Sequence, residues 1–294
     1  MKEDSEAVRQ LEQLEQLRPE LSCEGAEKLE EQIRLVKAGI RGEEAIAFEL
    51  RNSHIPMFVL HDLFLSQGDL SAQIDYLIVT RKCVLVIECK NLIGNIEINN
   101  AGSFIRSISG NKREGIYSPV TQNQRHLELI KQIRLETKKN AIQRALFEKS
   151  FYSTYRSVVV LANPQTVLNA RYAPKPIRQQ VIRADQLVEY IRHILNDPNT
   201  AAMSEKDMTE YAHYFLGLHR ENPVDYTEKF RQSAAPREGA AAADTETDKP
   251  TTILCPKCGA PMVRREAKRG VHAGNVFYGC SNYPKCRCII NTTE

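Results

Sequence analysis

Two apolar stretches of the sequence contain charged residues at positions where core strands normally have none. In "AQIDYLIVTRKCVLVIECKN", residues 72–91, Asp75 interrupts the first run, and Glu88 and Lys90 interrupt the second. Runs of Val, Leu and Ile of this length predict two neighbouring core strands, at 73–80 and 83–90. Two carboxylates and an amine in such strands have the chemistry to bind a divalent cation or to form a salt bridge.

The register of this predicted hairpin decides whether the carboxylates meet. A symmetric turn around the dipeptide "RK" makes the numbers of paired residues sum to 163, which places Asp75 directly opposite Glu88. Side chains alternate along a strand, so Lys90 lies on the face of Glu88, and Cys89 points to the other side. Opposed carboxylates repel each other, and a Mg²⁺ ion between them removes the repulsion. The three residues therefore predict metal-assisted phosphodiester hydrolysis, with a neutralised salt bridge as the alternative.

A second group of chemically competent residues lies near the C-terminus, which holds five of the eight cysteines. Cys255-x2-Cys258 and Cys280-x5-Cys286 form two close pairs, a spacing typical of one tetrahedral structural Zn²⁺ in a small ribbon. Cys288, two residues past Cys286, is expected to be a spare thiol, with a role as an alternative zinc ligand left open. A module this small has too little core to fold alone, so we expect the metal to supply its folding energy.

The cysteine module is also basic and aromatic. Residues 253–294 hold seven Lys and Arg against two Glu, whereas the whole chain has a net charge of +3. Lys and Arg side chains can bind phosphates and aromatic rings can stack on bases, which favours binding of single-stranded nucleic acid. Alternatively, the rings fill a small core and the charged side chains keep its surface solvated. The candidate DNA-binding residues are Arg264, Arg265, Lys268, Arg269, Phe277, Tyr278 and Tyr283.

The elements that must position these residues fall into four segments. Residues 1–38 carry two apolar stripes of helical spacing, which predict two helices that pack, self-associate or bind a protein partner. Residues 39–220 alternate helices and strands and predict an α/β domain, with a turn at the glycines of "GIRGEEAIAFEL". The Ala-, Pro- and acid-rich composition of 221–252 predicts a flexible linker before the zinc module at 253–294.

Individual elements within 39–220 follow from periodicity. "SPVTQNQRHLELIKQIRLE" predicts a helix with Ser118 as its cap and Pro119 at its first position. His126, one turn after Gln122 on that helix, is expected at the surface, with phosphate contact as the alternative. The other predictions are strands at 57–65, in "GNIEINN" and "SFIRSIS", at 156–163 and at 177–183, and helices at 139–150, "DQLVEYIRHIL" and "EKDMTEYAHYFLGL".

Composition excludes several classes of protein. Hydrophobic residues make up 42% of the 294 residues, enough for a packed core. No apolar run approaches the roughly 18 residues of a membrane helix, and the charged N-terminus lacks the apolar core of a secretory signal. We therefore expect a cytoplasmic protein without a membrane partner. No P-loop is present, so dependence on ATP is not implied.

Four motifs in the apolar part of the chain resemble a known family. "IRGEEAIAFEL", "QIDYLIV", "VLVIECKN" and "SPVTQNQRHLELI" resemble, in order and spacing, the nuclease-related domain called NERD, over roughly residues 40–160. That family belongs to the PD-(D/E)xK group, so the resemblance implies a restriction-endonuclease-like mixed sheet flanked by helices. Ile74 stands where the strict motif has proline. Glu43 matches the acidic residue of the family's first helix, and the adjacent Glu44 is the alternative for that position. By position, the catalytic residues are Glu43, Asp75, Glu88, Lys90 and Gln122.

The resemblance also implies a role for each of these residues. Glu43, Asp75 and Glu88 would hold Mg²⁺ or Mn²⁺, with the main-chain carbonyl of Cys89 completing the shell. Lys90 would position the attacking water. Gln122, in the helix after the sheet, would orient the substrate or Lys90.

A second resemblance covers nearly all of residues 253–290. "CPKCGAPMVRR" and "FYGCSNYPKCR" resemble the C4 zinc finger at the C-terminus of bacterial type I topoisomerases, which implies binding to DNA, mostly single-stranded. Together, the two resemblances predict a metal-dependent DNA nuclease whose finger binds single-stranded or branched DNA. The alternatives are a non-catalytic DNA-binding scaffold that keeps the nuclease fold, and a nuclease that acts on RNA.

Overall fold

The computed structural model describes residues 5–21, 23–108, 112–231, 255, 257–258, 260–266, 276–282 and 286–291. The chain divides into two compact units, Met1–Arg237 and Glu238–Glu294. Within the described ranges, no helix is both long and apolar enough to cross a membrane.

The first unit alternates helices and strands, as the sequence predicts. Its helices are α1 (Glu6–Leu17), α2 (Cys23–Asn52), α3 (Pro119–Glu136), α4 (Ala141–Thr154), α5 (Lys175–Arg178), α6 (Leu187–Leu195), α7 (Glu205–Leu218) and α8 (Glu228–Arg231). Its strands are β1 (Phe58–Gln67), β2 (Leu70–Val79), β3 (Val84–Lys90), β4 (Asn95–Ile98), β5 (Phe104–Ile108), β6 (Lys112–Ile116), β7 (Tyr155–Leu161), β8 (Leu168–Asn169) and β9 (Val181–Arg183).

The main sheet has five strands in the order β1-β2-β3-β7-β9. β1, β2 and β3 pair antiparallel, whereas β7 pairs parallel to both β3 and β9. A smaller sheet has the order β6-β5-β4-β8. The mixed α/β fold predicted from the sequence is therefore confirmed.

The β2–β3 hairpin has the register predicted from the sequence. Its pairs run from Tyr76 opposite Ile87 to Val79 opposite Val84, so each pair sums to 163. The amide of Thr80 donates to the carbonyl of Cys83 at 2.9 Å and closes the turn. This register brings Asp75 and Glu88 to the same end of the hairpin.

Helices bury both faces of the main sheet. On one face, Leu77 and Val86 pack with Ile130 of α3. On the other, Leu85 packs with Ile46 of α2. All five side chains are fully buried. Each contributes about 1.5–3 kcal/mol by leaving water, so the sheet is a rigid base for side chains at its strand ends.

α2 corrects one prediction. The helix runs without a break through Gly39 and Gly42, so the predicted turn at these glycines is wrong. α2 also continues across the predicted boundary between the N-terminal helical segment, 1–38, and the α/β domain, 39–220. Gly42 allows α2 to lie close to Cys89 and Asn91 at the end of β3. A Cβ at Gly42 would lie 2.7 Å from Cβ of Asn91 and 3.1 Å from Sγ of Cys89. The side-chain amide of Asn91 also donates to the main-chain carbonyl of Ala38 at 2.6 Å. Tertiary packing therefore overrides the usual meaning of glycine.

Replacing Gly42 with alanine should destabilise the protein, although alanine is the better helix former. Overpacking against Asn91 and Cys89 costs about 1–3 kcal/mol, which outweighs a helix-propensity gain of about 1 kcal/mol. Urea denaturation followed by circular dichroism measures the difference in the free energy of unfolding.

Gly39 provides a matched control on the same helix. A Cβ at Gly39 meets nothing within 4 Å among the described residues, so Gly39→Ala should stabilise the protein by about 0.5–1 kcal/mol. Stabilisation by both substitutions would contradict close packing at Gly42.

The start of the predicted linker belongs to the folded first unit. α8 lies within the predicted linker segment, 221–252, and its Phe230 is buried with Leu14 and Leu17 of α1 and Leu29 of α2. The apolar stripes of the N-terminal helices therefore pack against each other and against α8. Residues 232–252 of the predicted linker lie outside the described residues.

The second unit is a small antiparallel sheet. Its described strands are β10 (Met262–Glu266), β11 (Val276–Cys280) and β12 (Ile289–Asn291), in that order. β10 pairs with β11 from Met262 opposite Cys280 to Glu266 opposite Val276. This sheet holds the cysteine pairs close together.

Candidate functional site

The C-terminal end of β3 carries a buried ion pair. Glu88 is 2% exposed, and its Oε1 lies 2.6 Å from Nζ of Lys90. The same ammonium donates to Oε1 of Gln122, in the first turn of α3, at 3.1 Å. Burial raises the pKa of Glu88, and the charge of Lys90 opposes the increase. Glu88, Lys90 and Gln122 are therefore held as one connected set.

α3 begins where the sequence predicts. Ser118 caps the helix, because its Oγ accepts from the amide of Thr121 at 3.2 Å, and Pro119 occupies the first position. One turn further, the buried amide of Asn123 donates to the carbonyls of Val86 and Val158 at 3.3 and 3.0 Å. These bonds attach the helix to two strands and position Gln122 over the end of β3.

Asp75 lies beside this set, in the middle of β2, next to the last residue of β2 that pairs with β3. Its Oδ2 accepts from the amide of Cys89 at 2.7 Å. Burial raises the pKa of Asp75 well above its usual value, and repulsion from Glu88 and then from Glu43 adds to the increase. The hydrogen bond from Cys89 and the charge of Lys90 oppose it. Asp75 is thus close enough to interact electrostatically with both of the other predicted metal ligands, Glu43 and Glu88.

Replacing Asp75 with asparagine should stabilise the protein when no divalent cation is added to the buffer. Asparagine keeps an acceptor for the Cys89 amide and removes the repulsion from Glu88, a gain of about 1 kcal/mol. Folding raises the pKa of Asp75, so the folded protein loses stability as the pH rises from the pKa of the unfolded chain through the pKa of the folded state. The stability gap should therefore be largest at neutral pH and close below about pH 4. Urea titrations at several pH values measure it.

Asp69 is the matched control for this stability experiment, since it is exposed in the turn of the β1–β2 hairpin. Asp69→Asn should leave the free energy of unfolding unchanged at every pH tested. If the gap between wild type and Asp75→Asn widened on acidification, the carboxylate repulsion would not be its cause.

Glu43 lies on α2 and has different partners. Its Oε2 is 2.8 Å from Nε2 of His61 and 3.5 Å from Oγ of Ser5. The ring of His61 stacks on Tyr76 with centroids 4.5 Å apart, and the Tyr76 hydroxyl donates to the main-chain carbonyl of Glu43 at 2.8 Å. Glu44, the alternative acid, is exposed. The structure therefore turns Glu43, and not Glu44, toward β1 and β2.

A pocket of about 480 Å³ opens beside Glu43. Its walls include Val8 of α1, Ala47 of α2 and Val59 of β1. The amide of Glu6, at the start of α1, donates to Oδ2 of Asp62 in β1 at 2.5 Å. The N-terminus of α1 is thus fixed at the edge of this pocket.

His126 contradicts its sequence-based expectation. It is 7% exposed, so the prediction of a surface residue is wrong. Its Nδ1 lies 3.6 Å from Oε2 of Glu88. Burial and the nearby charge of Lys90 lower the pKa of His126 to about 4. A neutral imidazole therefore borders the buried carboxylate.

Taken together, the structure gathers four of the predicted residues and places the fifth apart. The group of Asp75, Glu88, Lys90 and Gln122 forms where the middle of β2, the C-terminal end of β3 and the start of α3 meet. Glu43 instead bonds His61 on the side of α2. Glu43, Asp75 and Glu88 do not form a group of ligand atoms all within 4.8 Å of one another. In the described part of the chain, the cysteines of the second unit alone form such a group.

That cysteine group contains the four predicted zinc ligands, Cys255, Cys258, Cys280 and Cys286. The Cys255 and Cys286 sulfurs are 3.8 Å apart, and those of Cys258 and Cys280 are 3.4 Å apart. Four sulfurs at about 2.3 Å from one tetrahedral Zn²⁺ are about 3.8 Å from each other, so the group has suitable geometry.

The surroundings of the cysteine group also resemble a metal knuckle. The amides of Lys257 and Asn282 each donate to a cysteine sulfur at 3.4 Å. Cys288 is outside the group of four, and its main-chain carbonyl accepts from the amide of Cys280 at 3.1 Å. This agrees with its predicted role as a spare thiol.

The predicted DNA-binding residues are only partly placed. Arg264 and Arg265 belong to β10, opposite Tyr278 and Phe277 of β11. Tyr278 is half-buried and packs against the cysteine group, so it contributes to the small core. The other three predicted residues, Lys268, Arg269 and Tyr283, lie outside the described residues. Binding of DNA by these side chains stays a prediction.

The sequence analysis did not identify His61 as a site residue, and it did not predict the burial of His126. His61 interrupts an apolar strand in "MFVLHDLFL", the same signal that identified Asp75, but its partner on α2 is distant in sequence. His126 is four residues after Gln122, so helical spacing already placed the two on one face. Its burial depends on how α3 docks, which periodicity does not report.

Comparison with known proteins gives two family matches. Residues 38–162 match the nuclease-related domain, NERD, and residues 252–294 match the topoisomerase DNA binding C4 zinc finger. No solved structure matches the chain.

Curated relatives are similar over shorter stretches. DNA topoisomerase 1 of Methanocaldococcus jannaschii is 56% identical over 34 residues, which are 12% of this chain and 4% of that protein. DNA topoisomerase 1 of Mycoplasmoides gallisepticum is 31% identical over 144 residues, 48% of this chain. That of Mycoplasma genitalium is 27% identical over 145 residues, 47% of this chain. The chain spans 18% of each of these last two proteins.

The two matches agree with the two compact units and with the families that the sequence motifs resemble. This chain is thus similar to nuclease-related domains over residues 38–162 and to the topoisomerase-type C4 zinc finger over residues 252–294.

Proposed function

We propose that this protein is a metal-dependent nuclease that hydrolyses phosphodiester bonds in DNA in the cytoplasm. The observation that carries the proposal is the connected set of Glu88, Lys90 and Gln122, with Asp75 beside it at the end of the same hairpin. The match to a nuclease-related domain supports the same reaction class.

The residues at this site fit a divalent cation. Oε2 of Glu88 is buried and has no hydrogen-bond partner among the residues that the structure describes, and Asp75 is repelled by Glu88. Both features favour a cation, and carboxylate oxygens are the ligands that Mg²⁺ and Mn²⁺ prefer. Asp75 and Glu88 would hold it with the carbonyl of Cys89, and Glu43 would join through a shift of its side chain away from His61.

A bound divalent cation supplies Lewis-acid stabilisation of the phosphate and lowers the pKa of a water molecule. Lys90 contributes a positive charge next to Glu88, where it stabilises negative charge that develops on the phosphate. Gln122 accepts from the Lys90 ammonium and so fixes its direction. Burial around Glu88 excludes water that would weaken these interactions.

We further propose that the zinc finger binds single-stranded or branched DNA for the nuclease domain. The match to a topoisomerase DNA binding finger and the basic residues of 253–294 support this role. A DNA-binding module in the same chain raises the local concentration of substrate without any added contact at the catalytic site.

Cleavage of labelled single-stranded, duplex and branched DNA, and of RNA, tests the proposed reaction. Wild-type protein should cut DNA with Mg²⁺ or Mn²⁺ and be inactive with EDTA, and Asp75→Ala should be inactive with both metals. Cleavage of RNA alone would replace the proposed substrate. A zinc-loaded protein that cuts nothing, or an Asp75→Ala variant that cuts equally well, would overturn the nuclease assignment in favour of a DNA-binding scaffold.

A further inference from the structure

Two unpartnered atoms face each other beside the candidate metal site. Oε2 of Glu88 and Nδ1 of His126 are both buried, and neither has a hydrogen-bond partner within the described ranges. They lie 3.6 Å apart, whereas the opposite oxygen of Glu88 is already paired with Lys90. Buried polar atoms are nearly always bonded, so a facing pair of this kind points to a ligand that both atoms share.

The separation suits a shared metal ion better than a direct hydrogen bond. At 3.6 Å, the two atoms are beyond the range of a normal N–H···O bond. Two ligand atoms at about 2.1–2.2 Å from one ion are about 3.0 Å apart at a right angle and about 4.3 Å apart when opposite. The observed distance falls between these limits.

Both side chains are held by the fold. Glu88 lies in β3, in the middle of the main sheet. His126 follows Asn123 by three residues on α3, and Asn123 donates to the carbonyls of Val86 and Val158. These bonds fix the turn of α3 that carries His126 against β3 and β7, so the imidazole and the carboxylate are preorganised.

We propose that Nδ1 of His126 is a ligand of the divalent cation bound by Glu88, and that this nitrogen makes the site prefer Mn²⁺ to Mg²⁺. The inference rests on the proposed function, because it takes the cation to bind at Glu88. Imidazole nitrogen favours transition-metal ions, whereas Mg²⁺ takes oxygen ligands almost exclusively. His126 thereby sets which cation the site selects.

Pulsed electron paramagnetic resonance of Mn²⁺ bound to the full chain, with its zinc site filled, tests the proposal directly. Wild-type protein should show nuclear modulation from ¹⁴N of one imidazole, and protein labelled with ¹⁵N-histidine should show the ¹⁵N pattern instead. His126→Asn, which places an amide oxygen near the position of Nδ1, should lose the nitrogen signal. Competition titrations should show Mn²⁺ affinity lowered by about tenfold or more, with a smaller change for Mg²⁺.

His61→Gln is the matched control, because His61 is a histidine that hydrogen-bonds another predicted ligand, Glu43. It should keep the nitrogen signal. A signal that persists in His126→Asn, or that disappears in His61→Gln instead, overturns the proposal. The ¹⁵N-histidine experiment uses unsubstituted protein, so a variant that fails to fold does not remove the test.

The outcomes separate this inference from the proposed function. Mn²⁺ that binds and supports DNA cleavage without nitrogen coupling overturns the role of His126 and leaves the nuclease. Nitrogen coupling without cleavage of DNA or RNA supports the role of His126 and overturns the nuclease. Wild-type protein that binds no Mn²⁺ overturns both.

Discussion

Replacing Lys90 with methionine should lower the rate of DNA cleavage by about 10²–10⁴-fold. Methionine keeps the length of the side chain and removes the ammonium that bonds Glu88 and Gln122. The charge of Lys90 also lowers the pKa of Glu88. Without that charge, the pKa of the buried carboxyl rises, so it stays protonated up to a higher pH and binds a cation less well. Initial rates of cleavage at saturating Mn²⁺, measured across pH, give the size of the loss.

The pH dependence separates the two effects of Lys90. A loss of metal affinity alone would be recovered at higher pH, where Glu88 ionises again, whereas loss of the ammonium from the reaction would persist. Lys206→Met is a suitable control, because the Lys206 side chain is 84% exposed on α7. It should cleave at the wild-type rate. A Lys90→Met variant that cleaved as fast as this control would remove Lys90 from the catalytic set.

The sequence predicted the register of the β2–β3 hairpin and the start of α3 correctly, because the information for both is local. The strands that carry Asp75 and Glu88 are joined by a tight turn. In any short hairpin, the turn fixes which residues pair, and side chains alternate between the two faces. The cap at Ser118 and the proline after it similarly fixed the start of α3 and hence the position of Gln122. Each of these predictions needed only a few neighbouring residues.

The features that the sequence did not predict depend on contacts between distant segments. Glycines usually end helices, and nothing near Gly42 in sequence shows that Cys89 and Asn91 will occupy the space of its missing side chain. Phe230 lies in a polar, acid-rich stretch, and its burial against α1 depends on a chain reversal that composition does not encode. His61 and His126 find their carboxylate partners through the docking of α2 and α3 on the sheet.

Replacing Cys255 with serine should release the bound zinc and unfold the second unit while the first unit stays folded. The described core of the second unit comprises little more than the cysteines and Met262, whereas binding of structural zinc supplies about 10–16 kcal/mol in finger peptides. Loss of one thiolate from the group of four removes most of this stabilisation. Zinc content by atomic absorption, the thermal transition of the first unit and the Kd for single-stranded DNA measure the three consequences.

Cys288→Ser is the matched control, because Cys288 is close to the group but is not one of its four members. It should keep one zinc per chain and bind single-stranded DNA as wild type does, while Cys255→Ser and Cys280→Ser lose both properties. If Cys288→Ser lost zinc and Cys280→Ser kept it, the ligand set would be wrong. If Cys255→Ser lost zinc but bound DNA normally, the finger would be structural only, and the basic residues of 253–294 would not be the DNA-binding surface. The short distance between the four sulfurs favours the first pattern, since one ion satisfies all of them at once.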